Sequence, residues 1–492
     1  MNVSKAIIIG SGIAGMATAI RLSLQGFQVA VYEKNNFPGG KLNAFEKDGF
    51  QFDAGPSLFT QPQNIIDLFD LAGEPIEKYI TWQPVNISCN YFYENGKVIY
   101  AHTDPVKFAA EMKLKLNEEK QNITSYLAQS EKLYKNIGEL FLNNSLHKRK
   151  TWLHKRIIKV LATLKLSYLF QSLNGFNKKQ LATPEAVQLF NRFATYNGSN
   201  PYQAPSMLSL IPSLELNNGT FYPTGGMISI TNALYQLAIA KGVKFYFNTP
   251  VTQITHTQGK VSGIVTGEQE VLADIVVSNS DVYFTWLNLL NDTSKAKKVL
   301  RQERSSSAVI FYWGINKSFN QLHLHNIFFS KDYQNEFTSI FKNNNLTDDP
   351  TVYINITSKL ETGMAPEGKE NWFVMVNAPC NTGQDWEQLK KQLRKNILIK
   401  LSRMLGEDIE PLIETEQVTD PVMLEAQTGS YMGSLYGTSS NSRLAAFFRH
   451  PNFSKSIKGL YFCGGSVHPG GGIPLCLKSA QIVSQLIKED YK

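Results

Sequence analysis

Ala6-Ile-Ile-Ile-Gly10-Ser-Gly12-Ile-Ala-Gly15 is the stretch that decides the fold. An apolar run enters three glycines at G-x-G-x-x-G spacing, and a second apolar run, Val29-Ala-Val-Tyr-Glu33, ends on an acid. Strand, glycine turn, helix, strand and acid in that order describe a dinucleotide-binding unit. Gly10 permits the tight turn, Gly12 lets backbone approach a pyrophosphate, and Gly15 lets helix and strand pack closely. The pyrophosphate meets free N–H groups at Ile13 and Ala14 and the positive end of the helix dipole. Glu33 is placed to accept hydrogen bonds from a ribose hydroxyl.

Beyond Glu33 come Lys34-Asn-Asn-Phe-Pro-Gly39-Gly40-Lys41 and then Asp48-Gly-Phe-Gln-Phe-Asp-Ala-Gly55-Pro56-Ser57-Leu58. A glycine pair with a cation beside it suits a backbone, with Lys34 and Lys41, lying against a diphosphate. The turn Gly55-Pro56-Ser57-Leu58 is expected on the side of the reactive ring. More than four hundred residues later, Gly459-Leu-Tyr-Phe-Cys-Gly464-Gly465-Ser466-Val-His468-Pro469-Gly470-Gly471-Gly472-Ile473-Pro474 reads as strand, glycine loop and helix start. The helical pattern continues over 475–487.

These paired ends resemble the FAD-containing carotenoid (phytoene-type) desaturases, kin to the flavin amine oxidases. The resemblance spans essentially the whole chain, with its firmest motifs at residues 6–58, 221–227 and 459–474. It implies FAD as cofactor. It places Gly464, Gly465, Ser466, Gly472, Ile473 and Pro474 near the ribityl chain and the pyrimidine edge of the flavin. Val251 would contact adenine through its backbone, and Asn279, ending the buried run Ala273–Asn279, would join the same site. The expected fold class is mixed α/β: a discontinuous Rossmann-like FAD-binding domain (1–80, 221–285 and 455–492) with two insertions. One is a helical, substrate- and membrane-facing region (85–220), the other a substrate-binding sheet domain (286–450). Residues 1–80 read as strand, helix, strand, then loop.

Within the family, the loop Gly464-Gly-Ser-Val-His468 is closer to the hydroxyneurosporene type than to the phytoene type, which usually carries alanine–glycine–threonine there. The resemblance therefore implies 3,4-desaturation of a 1-hydroxycarotenoid: hydride to flavin N5, a proton lost from the neighbouring carbon. Some of the 29 Phe and 21 Tyr would line a tunnel for the polyene. His468 and Glu215 are the candidate proton acceptors. Phytoene desaturation, carotenoid isomerisation and a non-redox lipid carrier of the GDP-dissociation-inhibitor type stay open as alternatives. The final electron acceptor is open between oxygen and a membrane quinone.

Composition narrows the setting. The chain has 492 residues, 42% of them hydrophobic and 18% charged, and no apolar run long enough to span a bilayer. Four cysteines without C-x-x-C spacing argue against a zinc site or a disulfide scaffold, so no metal is expected. No secretory signal is read at the N-terminus, and the expected location is cytoplasmic with peripheral membrane attachment. The net charge of +8 is uneven: from 140 to 184 there are nine basic residues and no acid. There Trp152, Ile157, Val160, Leu161 and Leu164 recur at helical spacing, with Lys155, Arg156 and Lys159 opposite. Such a helix suits an anionic membrane surface. Nucleic acid is not an expected partner, because one basic cluster without a recognition module makes no such site.

Overall fold

The computed structural model describes residues 4–153, 167–442, 445 and 449–491. Its centre is a five-stranded parallel sheet in the order Leu460–Phe462, Ile275–Ser278, Lys5–Ile9, Gln28–Tyr32, Lys244–Tyr246. Three distant stretches of chain thus share one sheet. Both faces are covered, which is why its strands read as unbroken apolar runs rather than alternating ones. Ile8 pairs with Val31 on one side and Val277 on the other.

Helices Ile13–Leu24, Ile228–Ala240 and Ile473–Asp490 cover one face, packing Met16, Ala19, Leu234, Leu237, Ala480 and Val483 into a common core. The other face carries the antiparallel strands Val251–Thr257, Lys260–Thr266 and Gln269–Leu272, whose Ile254, Val261 and Ile264 pack on Ile7, Ile9 and Val276. The hairpin between the first two turns at Gln258 and Gly259, both with positive φ (49° and 73°), as a tight two-residue connection requires.

A second sheet has seven strands in the order Ile413–Thr419, Ser307–Ile315, Glu370–Ala378, Val352–Ile356, His325–Phe328, Ile87–Phe92, Val98–His102. One face is a dry core of Val309, Phe311, Trp313, Ile354, Trp372 and Val374, closed by Leu393, Ile397 and Leu401 of the helix Trp386–Leu405. The opposite face looks toward the parallel sheet. Helices and turns within 105–153 and 167–217 pack around Phe108, Tyr126, Phe190 and Phe193 and lean on the sheet through Tyr91, Ile327 and Phe329.

Several details correct the sequence expectation. The strands Ile87–Phe92 and Val98–His102 are the far edge of the seven-stranded sheet, so 85–220 is not a separate helical body. Thr220–Pro223 is a strand paired with Trp82–Val85 before the helix begins. The stretch after Glu33 is not loop. It holds the hairpin Ala44–Lys47 with Phe50–Asp53 and the helix Gln63–Ala72, whose Ile65, Leu68, Phe69 and Ala72 are buried at helical spacing. Of the proposed membrane helix, Lys155, Arg156 and Lys159 lie outside the described residues. Trp152 is half-buried, donating from Nε1 to the Leu146 carbonyl at 2.8 Å and packing edge-on against Phe141.

Phe311 is 1% exposed and stacks beside Trp313 in the dry core. Phe311→Ala is expected to cost about 3–5 kcal/mol through the cavity it leaves. The check is a shift of the first urea transition to lower denaturant, read by tryptophan fluorescence.

Candidate active site

One continuous cavity of about 1280 Å³ runs from the N-terminal glycine turn to the seven-stranded sheet. Single-ligand pockets usually span about 300–1,000 Å³, so this one has room for a cofactor and a second molecule. One end is walled by Gly10, Gly12, Ile13, Ala14, Glu33 and Lys34, then by Gly40, Lys41 and the turn Gly55, Pro56, Ser57, Leu58. Val251, Asn279, Gly464, Gly465, Ser466, Gly472, Ile473 and Pro474 complete that end. The fold thus gathers segments separated by more than four hundred residues. Gly15 does not line the cavity: a Cβ there would meet the Gly10 carbonyl oxygen at 2.2 Å, so it permits the turn itself.

Three observations show that a dinucleotide fits this end. Helices Ile13–Leu24 and Ile473–Asp490 both start here, at Gly12 and Gly472, and neither has a side-chain cap. Helix N-termini without caps are ready-made anion sites. Gly40 comes close to Gly12, its Cβ position only 3.5 Å from the Gly12 Cα, so the two glycine segments form one smooth backbone surface. Glu33 is buried at the end of its strand, with Oε2 accepting from Ser11 N (2.8 Å) and Ser11 Oγ (2.9 Å) and Oε1 accepting from Asn35 N (3.0 Å). A carboxylate offers about four acceptor positions, which leaves one toward a ribose.

The two lysines differ. Lys34 is exposed and donates to the Ala426 carbonyl at 2.9 Å. Lys41 donates to the Leu435 carbonyl at 2.7 Å. Burial pulls its ammonium down to about 8, with Asp281 working in the opposite direction.

Several residues that hold the site carry no motif. Asp53 accepts from Met227 N at 3.0 and 3.1 Å, joining the 48–58 segment to the start of Ile228–Ala240; burial lifts its carboxyl to about 6. Arg304 pairs with Asp281 at 2.6 Å and donates to Ser434 Oγ at 2.8 Å. Ser466 Oγ accepts from Val282 N at 3.0 Å, tying the C-terminal glycine loop to the same corner.

The other end of the cavity is one face of the seven-stranded sheet. Ile327, Tyr353, Met375, Ile310 and Thr419 lie in register across five strands and all line it, as do Phe373, Tyr312 and Gln417. The sequence places a substrate-binding sheet in 286–450 but does not say which of its faces meets the cofactor. Ser57 Oγ and the Tyr353 hydroxyl are 2.7 Å apart, and the Tyr353 hydroxyl lies 2.8 Å from His325 Nδ1. This chain links the turn at the cofactor end to the sheet.

Glu215 lines the cavity and is 2% exposed. Its carboxylate accepts from Ser88 Oγ, from the Tyr196 hydroxyl and from Arg192 Nη2, the last at 3.2 and 3.3 Å. Burial works against its charge, yet Arg192 and these donors outweigh burial and hold the carboxyl below its usual range.

His468 stands elsewhere, which corrects its candidacy. It does not line the cavity; its Nε2 donates to the carbonyls of Phe141 (3.1 Å) and Asn144 (2.9 Å). The ring fastens the C-terminal glycine loop to the helical region. Burial holds it down to about 4, so it is neutral at physiological pH.

Gly12→Ala is expected to keep the fold, since its Cβ would meet only the movable Asn279 Nδ2 (2.7 Å). It removes the close approach and weakens dinucleotide binding by about tenfold or more, read as lower bound-flavin absorbance with unchanged circular dichroism. His325, His450 and His468 are each held near 4 by burial. Unfolded, such rings titrate near about 6.5, so the unfolded chain takes up protons that the folded chain refuses. Stability is therefore complete above that value and lost as pH falls toward about 4, by up to roughly 3 kcal/mol per ring. Thermal midpoints measured from about pH 7 down to about pH 4.5 should fall steadily, and less steeply in His468→Gln.

Residues 13–488 match the family described as Flavin containing amine oxidoreductase. The chain is 50% identical over 483 residues to the 1-hydroxycarotenoid 3,4-desaturase of Flavobacterium sp. (strain P99-3), covering 98% of this chain and 99% of that one. It is 32% identical to the 4,4'-diapolycopene oxygenase of a Methylomonas species, covering 99% of each. An oxidoreductase from Methanosarcina mazei shares the fold, with a TM-score of 0.62 at 16% identity, covering 99% of this chain and 100% of that one. With its dinucleotide cradle and this match along nearly its whole length, the chain belongs to the flavin containing amine oxidoreductase family and is an FAD-dependent oxidoreductase.

Proposed function

We propose that this chain introduces the C-3,4 double bond into a 1-hydroxycarotenoid. The observation that carries the reading is the shape of the cavity. A dinucleotide cradle opens without interruption onto a flat, largely apolar sheet face, in a chain half-identical to a 3,4-desaturase. When bound, the flavin supplies the acceptor for the hydride. The protein's task is to lay the polyene flat and keep water out, so that one C–H bond is aligned. Ile310, Met375 and Phe373 offer a flat bed, and Tyr312 and Tyr353 border it with their rings. Conjugation with the polyene stabilises the cation that develops as the hydride leaves, which reduces the demand on protein charge.

Access from a membrane belongs to the same proposal. Leu153 and Phe170, which stand in the sequence on either side of Lys155, Arg156 and Lys159, are 75% and 59% exposed. No described helix is long and apolar enough to cross a bilayer, so attachment would be at the surface. Oxygen and a membrane quinone are the two acceptors to compare for the reduced cofactor.

The test supplies the holoenzyme with phytoene or with a 1-hydroxycarotenoid, in air and then anaerobically with quinone. The expected product has lost two hydrogens, absorbs at longer wavelength and arises from the hydroxylated polyene. Conversion of phytoene alone would overturn the substrate assignment. An unchanged mass would mark an isomerase, and an added oxygen an oxygenase.

A further inference from the structure

The chamber behind the sheet face holds polar groups that lining an apolar polyene does not explain. Arg192 and Glu215 form a buried ion pair, and His325 lies on the cavity face of its strand with both of them in electrostatic range. The hydrogen bonds of His325 settle its tautomer. Asn355 Nδ2 donates to the Leu324 carbonyl at 3.1 Å, which fixes that amide's orientation. The same Nδ2 lies 3.1 Å from His325 Nδ1 and can only donate, so Nδ1 accepts and Nε2 carries the proton. That Nε2–H has no acceptor among the described residues, and neither has Arg192 Nε–H. Buried donors without partners are costly and uncommon. Here two of them belong to one cavity, beside a carboxylate.

A hydroxyl group offers two acceptor lone pairs and one donor. Two orphaned donors match the two lone pairs, and Glu215, whose acceptor positions are taken by Ser88, Tyr196 and Arg192, holds Arg192 in place beside them. We propose that His325, Arg192 and Glu215 form the receptor for the hydroxyl end of the substrate, an inference that rests on the hydroxycarotenoid reading above. The position of the receptor also accounts for where the new bond falls. Only C-2 separates the hydroxyl-bearing C-1 from the 3,4 bond, so the receptor has to stand close to the cofactor. It does: His325 joins the cofactor-side turn at Ser57 through the single side chain of Tyr353, by contacts of 2.8 and 2.7 Å. The receptor works as a short ruler, and these three residues set specificity rather than carry the chemistry.

The experiment compares kcat/KM of the holoenzyme on a 1-hydroxycarotenoid and on the same polyene without the hydroxyl. Wild type is expected to favour the hydroxylated polyene. His325→Phe loses that preference by about tenfold or more through the hydroxylated substrate alone, mainly in KM. His325→Gln, which keeps a donor, recovers part of it. Retained preference in the Phe variant, or an equal fall for both substrates, overturns the receptor. Should the Phe variant fail to hold flavin, wild type decides: a short terpenoid tertiary alcohol should inhibit at about tenfold lower concentration than its hydrocarbon. Equal inhibition overturns the proposal. Wild type that converts no hydroxylated polyene sinks the functional reading itself, whereas equal conversion of both substrates sinks the receptor alone.

Discussion

The cofactor end of this fold depends on two glycine turns meeting around one amide. Asn279 ends the strand Ile275–Ser278, its N–H bonded to the Ile9 carbonyl at 2.8 Å, and its side chain lies between the two ends of the chain. A Cβ at Gly12 would meet its Nδ2 at 2.7 Å, and one at Gly464 its Oδ1 at 2.8 Å. Gly10 and Gly15 border the same side chain. Without side chains at these four positions, the strand Leu460–Phe462 can lie beside Ile275–Ser278, which lies beside Lys5–Ile9. Two helix N-termini are then aimed into one cavity. Close backbone approach is the constraint, tightest where a Cβ at Gly15 would meet the Gly10 carbonyl oxygen at 2.2 Å, and the cofactor cradle follows from it.

The substrate side obeys a different rule. The seven-stranded sheet buries one face against the helix Trp386–Leu405 and leaves the other as the cavity floor, so alternate residues serve stability and binding. Phe311 and Trp313 hold the sheet together, while Ile310 and Tyr312 face the cavity. Where the two sheets meet, Arg304, ahead of Ser307–Ile315, pairs with Asp281, after Ile275–Ser278, while Ser466 with Val282 and Asp53 with Met227 fasten the cofactor side of this corner. Paired groups in a dry setting are expensive to break and so define one arrangement.

Most of the cofactor end was legible beforehand because its chemistry is local. A pyrophosphate needs glycines at fixed spacing and a helix start, and both are written in consecutive residues. The exceptions are informative. Gly15 stands behind the turn, where it is needed to let the Gly10 carbonyl in, and Lys34 is spent on the Ala426 carbonyl. His468 lies in the most distinctive loop of the chain yet faces the carbonyls of Phe141 and Asn144. Nothing in that loop records which side of it the helices will occupy. Val98–His102 pairs with its sequence neighbour Ile87–Phe92, whose other partner, His325–Phe328 in parallel register, lies more than two hundred residues away.

The sequence by itself determined the dinucleotide turn, the acid that closes it, the matching C-terminal loop and the apolar runs of a doubly covered sheet. Each is a short-range pattern whose physical meaning does not change with context. Only the tertiary structure decided which face of the second sheet floors the cavity, and which residues share it. It brought Ser88, Arg192, Glu215, His325 and Tyr353 from five separate elements to one chamber, and left two donors there without acceptors among the described residues. Hydrogen-bond satisfaction is a property of packed neighbours, set by contacts across hundreds of residues, and no local pattern encodes it.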